Sequence, residues 1–99
     1  MLHIVHTSHA RTSSLQSCLR LAKDGQALLL IEDAVYAATT AAAAASGIAA
    51  AAKRLKVYAL MPDVQARGMV GRLVEGVIPV DYAGFVALAA EHPRNQTWL

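Results

Sequence analysis

The chemistry available to this chain depends first on Cys18, its single cysteine. Without a second cysteine there is no internal disulfide, and no Cys and His set has the spacing of a metal site. The thiol therefore either packs in the core or acts alone or with a partner protein. On a helix, Cys18 shares an apolar stripe with Leu15 and Leu19, which favours burial. A structural and a reactive cysteine both remain open on the residues alone.

Histidines and carboxylates form the next candidates. On a strand His3 and His6 point to opposite faces, and His9 lies in the loop beyond, so we do not expect the three to chelate one metal. Glu32 and Asp33 follow the second apolar run of the sequence. Paired acids there can hold Mg²⁺ or cap the next helix, and the lack of a matching acid or lysine favours capping. We predict neither a metal nor a cofactor.

A small-ligand site is a further hypothesis, with Thr7, Ser8, Glu32 and Asp33 around a ligand at the carboxyl ends of the strands. The sequence has no phosphate-loop lysine motif and no nucleophile elbow. The glycines of the segment 68–71 do not match a dinucleotide fingerprint, because no strand leads directly into them. A self-contained enzyme is therefore disfavoured.

The elements that must position these residues alternate between strands and helices. Apolar runs predict strands over 2–7, 27–31, 56–60 and 77–80. Helices are predicted over 14–24, over an alanine-rich stretch of 34–52 that Ser46-Gly47 ends or bends, over 62–67 and from Asp81 to 89. This alternation predicts a single domain over 1–99, a three-layer α/β/α fold with a mostly parallel sheet of four to five strands, of the Rossmann or flavodoxin type.

Several local signals refine these elements. Ser13 is expected to cap the first helix with Gln16 as its capping-box partner, and Asp81 to cap the last one. Pro79 cannot donate to a ladder and is expected on an edge strand. The tail that ends with Trp98 is expected to pack on the domain or on a neighbour.

Composition points to a partner subunit. The chain has 99 residues, of which 56% are hydrophobic and 16% charged, so one small core cannot hide all of its apolar surface. Its net charge is +2, and the only local basic cluster, 53–56, lacks interleaved aromatic residues, so direct nucleic-acid binding is not expected.

The cytoplasm is the expected location. The segment 34–52 is uncharged over nearly the length of a membrane span, but small residues dominate it, which favours a soluble helix. No signal-peptide pattern is present at the start, and a lone thiol suits a reducing compartment.

The whole chain resembles one known family. The resemblance rests on the order and spacing of motifs, most specifically Glu32-Asp33 at the exit of the second strand, Val57-Tyr58-Ala59-Leu60 with Ala66-Arg67-Gly68 behind it, and Asp81-Tyr82-Ala83-Gly84-Phe85. Together with Leu2–His6, Ser14–Leu19 and the terminal tryptophan, these motifs closely resemble the DsrH/TusB family.

The resemblance implies a small subunit of a cytoplasmic sulfur-relay (sulfurtransferase) complex. Such a complex is a heterohexamer with DsrE/TusD-like and DsrF/TusC-like subunits, and it exchanges sulfur with a DsrC/TusE-like carrier. It serves sulfur oxidation or the 2-thiolation of the wobble uridine of transfer RNA, and its main reactive cysteine lies on the DsrE/TusD-like chain. Cys18 makes this sequence look closer to DsrH, which carries a cysteine at this place.

Two hypotheses follow for Cys18. In the first, the thiol is an auxiliary persulfide acceptor that works with a thiol of a partner subunit. In the alternative, this chain is a non-catalytic structural subunit and Cys18 is a packing residue.

Overall fold

A five-stranded sheet organises the chain, and the computed structural model describes all 99 residues. Its strands are β1 (Leu2–Val5), β2 (Ala27–Leu30), β3 (Lys56–Leu60), β4 (Val77–Val80) and β5 (Asn95–Trp98). They lie in the order β4-β3-β2-β1-β5, and all four pairings are parallel. The helices are α1 (Ser14–Leu21), a 3₁₀ helix (Glu32–Ala38), α2 (Ala43–Ser46), α3 (Ile48–Ala51), α4 (Met61–Ala66) and α5 (Tyr82–Glu91). The predicted three-layer α/β fold is confirmed.

The strand order explains why the two faces of the sheet differ. The chain adds β2, β3 and β4 on one side of β1 and then returns to the other side for β5. Since parallel crossovers are right-handed, this reversal places α5 on the opposite face from α1. The face under α1 holds a core cluster of 19 buried residues, whereas the face under α5 holds one of only five. The main core therefore lies on the α1 side.

The prediction of one alanine-rich helix over 34–52 is wrong. A 3₁₀ helix ends at Ala38, and two four-residue helices, α2 and α3, follow it. Two backbone hydrogen bonds interrupt the helix between the 3₁₀ helix and α2. Thr40 N–H donates to the carbonyl of Arg72, and the carbonyl of Ala38 accepts from Val74 N–H. Gly47 then separates α2 from α3 with φ of 89°, the bend that the sequence predicted. No helix of the structure is both long and apolar enough to cross a membrane.

The ends of α1 also differ from the sequence prediction. The Ser13 side chain makes no capping bond, and Ser14 N–H instead donates to Thr12 Oγ1 at 3.4 Å. The helix ends at Leu21 rather than at residue 24, because the Arg54 guanidinium donates hydrogen bonds to the carbonyls of Leu19 and Ala22 at the end of the helix. A side chain from the distant α3–β3 connection therefore sets the end of α1.

The last third of the chain follows its sequence signals closely. Pro79 lies on β4, an edge strand, and Asp81 Oδ1 accepts from Gly84 N–H at 2.7 Å as the cap of α5. The tail packs on the domain as expected, and it does so by forming β5 beside β1. The Trp98 indole donates from Nε1 to His3 Nδ1 at 3.2 Å, which fixes the tail to the sheet.

Candidate functional site

Cys18 lies in the middle of α1, on the stripe that faces the sheet. Its side chain is fully buried in the main core, together with Leu15 and Ala22 of the same face. None of the three cavities of the structure includes Cys18 among its lining residues. In this conformation, the thiol has no open path to a reacting partner.

Burial also changes the acidity of this thiol. Desolvation raises the pKa of Cys18 from 9.0 to about 12, because a buried thiolate loses its hydration, and the nearby Arg54 guanidinium opposes only part of this rise. Arg54 is itself held at the end of α1, where it donates to the Ala22 carbonyl at 2.8 Å and to Asp24 Oδ1 at 3.2 Å. The thiol is therefore neutral near pH 7, and a neutral thiol is a poor nucleophile.

The polar cavity of the chain opens at the carboxyl ends of β1 and β2. Its volume is about 510 Å³, and no hydrophobic residue lines it. The lining residues are His6, Thr7, Ser8, Arg11, Thr12, Glu32, Asp33 and Arg67. The structure thus brings together Thr7, Ser8, Glu32 and Asp33, the four residues of the small-ligand hypothesis, at the edge where open α/β sheets bind ligands.

The carboxylates of the polar cavity are already paired. Asp33 Oδ1 accepts from Arg67 Nε at 3.0 Å and from Arg67 Nη2 at 2.9 Å. Glu32 Oε2 lies 3.4 Å from His6 Nδ1. The predicted capping role is wrong for both acids, since Ile31 is the N-cap of the 3₁₀ helix and neither Glu32 nor Asp33 accepts a capping hydrogen bond. Their side chains instead connect the loops after β1, β2 and α4.

The backbone at this edge is strained. Glu32 is the only non-glycine residue with positive φ, at 51°, in the left-handed region that residues with a Cβ rarely adopt. Its N–H donates to Asp63 Oδ2 at 2.7 Å, which holds it there. Strain of this kind persists only where surrounding contacts fix the backbone, and here Asp63 and the Asp33–Arg67 pair do so.

The histidines do not meet at one place. His3 is buried beside β5, where Nε2 lies 2.7 Å from Gln26 Oε1, whereas His6 faces the polar cavity. No group of three or more His, Cys, Asp or Glu side chains is arranged to hold a metal ion. The arrangement at the carboxyl edge is a polar cavity whose two carboxylates are paired with His6 and Arg67.

Sequence reasoning missed the two arginines that organise these regions. Arg54 lies 36 positions after Cys18 in the chain, and Arg67 is 34 positions after Asp33. Residues so far apart in the chain come into contact only because the fold brings their loops together. The weak available signal was that Arg67 belongs to the Ala66-Arg67-Gly68 motif at the end of a predicted short helix.

Comparison with known proteins gives a consistent family signal. A family model described as "DsrH like protein" matches residues 7–95. "Protein TusB" of Escherichia coli O1:K1 / APEC is 39% identical over 98 residues, covering 99% of this chain and all of that protein. "Protein TusB" of Shigella dysenteriae serotype 1 (strain Sd197) is 38% identical with the same coverage. The similarity therefore extends over the full length of both relatives.

Proposed function

Because the chain belongs to the DsrH/TusB family, we propose that it is a subunit of a cytoplasmic sulfur-relay complex. Its partners in this proposal are DsrE/TusD-like and DsrF/TusC-like subunits in a heterohexamer, with a DsrC/TusE-like protein as the sulfur carrier. The pathway we propose is 2-thiolation of the wobble uridine of transfer RNA, since the full-length relatives from Escherichia coli and Shigella carry the name TusB. Sulfur oxidation is the alternative pathway.

Within this complex we assign an organising role to the chain. The burial of Cys18 is the observation that carries this assignment, because a fully buried thiol with a pKa of about 12 cannot accept sulfur rapidly. At pH 7 only about one thiol in 100,000 is ionised at that pKa. The transfer chemistry then takes place on a thiol of a partner subunit.

The surface around α5 supports a role in assembly. Val86 is 69% exposed and Tyr82 is 61% exposed on this helix, and Ile78 of the neighbouring strand β4 is also exposed. A helix that is apolar on nearly all its sides is typical of one buried inside a larger particle. We propose that partner subunits contact the chain here, since exposed apolar patches mark interaction sites.

The second candidate makes Cys18 an auxiliary acceptor. A Cys18 thiolate would attack the outer sulfur of a donor persulfide, the S–S bond of the donor would break, and the donor cysteine would leave as a thiolate. The resulting Cys18 persulfide would pass its outer sulfur to an acceptor thiolate in the same way. The position of Arg54 near the thiol favours this candidate, but α1 must first move to expose Cys18.

Complementation tests the two candidates together. Cells that lack this chain are supplied with the wild-type chain or with Cys18→Ser, and 2-thiouridine in transfer RNA is measured by nucleoside mass spectrometry. The organising role predicts that both chains restore thiolation equally. A loss of thiolation with Cys18→Ser, in cells where the complex still assembles, supports the acceptor. Normal thiolation in cells without the chain refutes the pathway.

A further inference from the structure

A second cavity lies at the opposite edge of the sheet, beside the start of β1 and along β5. Its volume is about 420 Å³. Residues that precede β2 and β5 contribute most of its charge and polarity. Its lining residues are Met1, His3, Leu21, Lys23, Gln26, Arg94, Gln96 and Trp98. We refer to it as the basic cavity.

The charge of the basic cavity has one sign. Lys23 and Arg94 line it, and no Asp or Glu does. Neither cation belongs to any of the four ion pairs of the chain. The polar cavity at the carboxyl edge differs, because it contains the carboxylates Glu32 and Asp33 beside its cations, and Asp33 pairs with Arg67. The basic cavity therefore presents positive charge that no side chain neutralises.

A chain of hydrogen bonds fixes which neutral polar groups of the basic cavity donate and which accept. The Trp98 indole can only donate, so His3 Nδ1 is an acceptor and His3 Nε2 carries the proton. That proton is donated to Gln26 Oε1 at 2.7 Å, and Lys23 N–H donates to the same oxygen at 3.0 Å. With its oxygen used twice, Gln26 keeps only its amide NH₂ free. The cavity thus offers hydrogen-bond donors beside its cations.

Apolar surface completes the basic cavity. Leu21, at the end of α1, is 64% exposed, and the indole of Trp98 is only partly buried. Small-molecule sites combine apolar walls with a few convergent polar groups in cavities of roughly 300 to 1,000 Å³, and the basic cavity lies within that range. We propose that it binds a small organic anion, in which a carboxylate or phosphate is attached to a short aromatic or apolar group.

In this arrangement the anion accepts hydrogen bonds from Lys23, Arg94 and the Gln26 amide, while its apolar part contacts Leu21 and Trp98. Charge-assisted hydrogen bonds of this kind are the strong ones, and arginine binds both oxyanions well. The proposal does not depend on the sulfur-relay role, because the basic cavity contains neither Cys18 nor any residue that lines the polar cavity.

The single tryptophan of the chain provides the assay. Labelling with ¹⁵N-tryptophan gives one indole resonance, from Trp98, in the full chain alone or combined with unlabelled partner subunits. The probes are phenyl phosphate and benzoate as organic anions, phenol as the neutral analogue, and inorganic phosphate as the anion without an apolar part. The variant Lys23→Gln/Arg94→Gln is compared with Lys53→Gln/Arg72→Gln, which removes two exposed cations that do not line the cavity.

The proposal predicts a saturable shift of the indole resonance with phenyl phosphate or benzoate, and weaker binding of phenol and of inorganic phosphate. The cavity variant should bind the organic anion at least about tenfold more weakly, while the control variant stays within about twofold of wild type. Equal affinities of the two variants would overturn the proposal. So would binding of phenol as tight as that of phenyl phosphate, or no saturable shift with either organic anion.

Discussion

Alkaline pH should destabilise the folded chain through Cys18. The folded-state pKa is about 12 and the ordinary value is 9.0, so the folded state retains this proton over a range of pH in which the unfolded state loses it. The stabilisation is complete below pH 9.0 and is lost as the pH rises towards 12. A rise of about three units in the pKa stabilises the folded state by about 4 kcal/mol, and about 2 kcal/mol of this stabilisation is lost by about pH 10.5.

Urea unfolding of the wild-type chain and of Cys18→Ala, at about pH 8 and about pH 10.5, measures this effect. The two proteins differ only at residue 18, so the difference between their free energies of unfolding isolates Cys18. We expect the advantage of wild type over Cys18→Ala to fall by about 2 kcal/mol between the two pH values. A difference that stays constant with pH would mean that the folded thiol ionises normally, which would refute the argument from burial.

Three further predictions concern the contacts that shape the fold. Arg54→Gln, which removes charged donors from the end of α1, should lower the free energy of unfolding by roughly 1 to 2 kcal/mol in urea titrations, and Arg20→Gln on the same helix should change it little. Ser46→Ala removes a buried hydrogen bond of 2.8 Å to the Ala37 carbonyl and should lower the free energy of unfolding by about 1 to 2 kcal/mol. The control is Ser17→Ala, because the Ser17 side chain makes no hydrogen bond. Asp81→Ala should cost about 1 kcal/mol by the loss of the α5 cap, and an unchanged thermal midpoint would contradict that role.

The strands were predictable because their signals are local. Continuous apolar runs such as 27–31 are typical of strands buried on both faces, and the residues of β2 are indeed fully buried. The spacing of Leu15 and Cys18 likewise indicated the buried face of α1. Both features follow from short-range periodicity, which needs no knowledge of the rest of the fold.

The alanine-rich stretch could not be predicted in the same way. Alanine favours helix in isolation, but here the carbonyl of Arg72 and the N–H of Val74 compete for the backbone of 38–40. The fifth strand could not be assigned to a segment, because Asn95-Gln96-Thr97 has no alternation of apolar and polar residues. Its conformation comes from pairing with β1 and from the bond between Trp98 and His3.

The candidate site was also predictable only where its signals are local. The sequence placed Thr7, Ser8, Glu32 and Asp33 at the carboxyl edge from strand positions alone, and the structure gathers them in the polar cavity. It could not show that Arg67 pairs with Asp33, because that contact joins loops far apart in the chain. A contact between charged side chains of different loops has no periodic signature.

The location of the transferred sulfur decides whether this chain organises the complex or carries sulfur itself. The chain is purified in complex with its two related subunits, incubated with a persulfide donor, and each subunit is weighed by intact-mass spectrometry. We expect the mass of an added sulfur atom on a cysteine of a partner subunit, while this chain, with Cys18 buried, keeps its original mass. Added sulfur that maps to Cys18 and then passes to an acceptor thiol would refute the organising role.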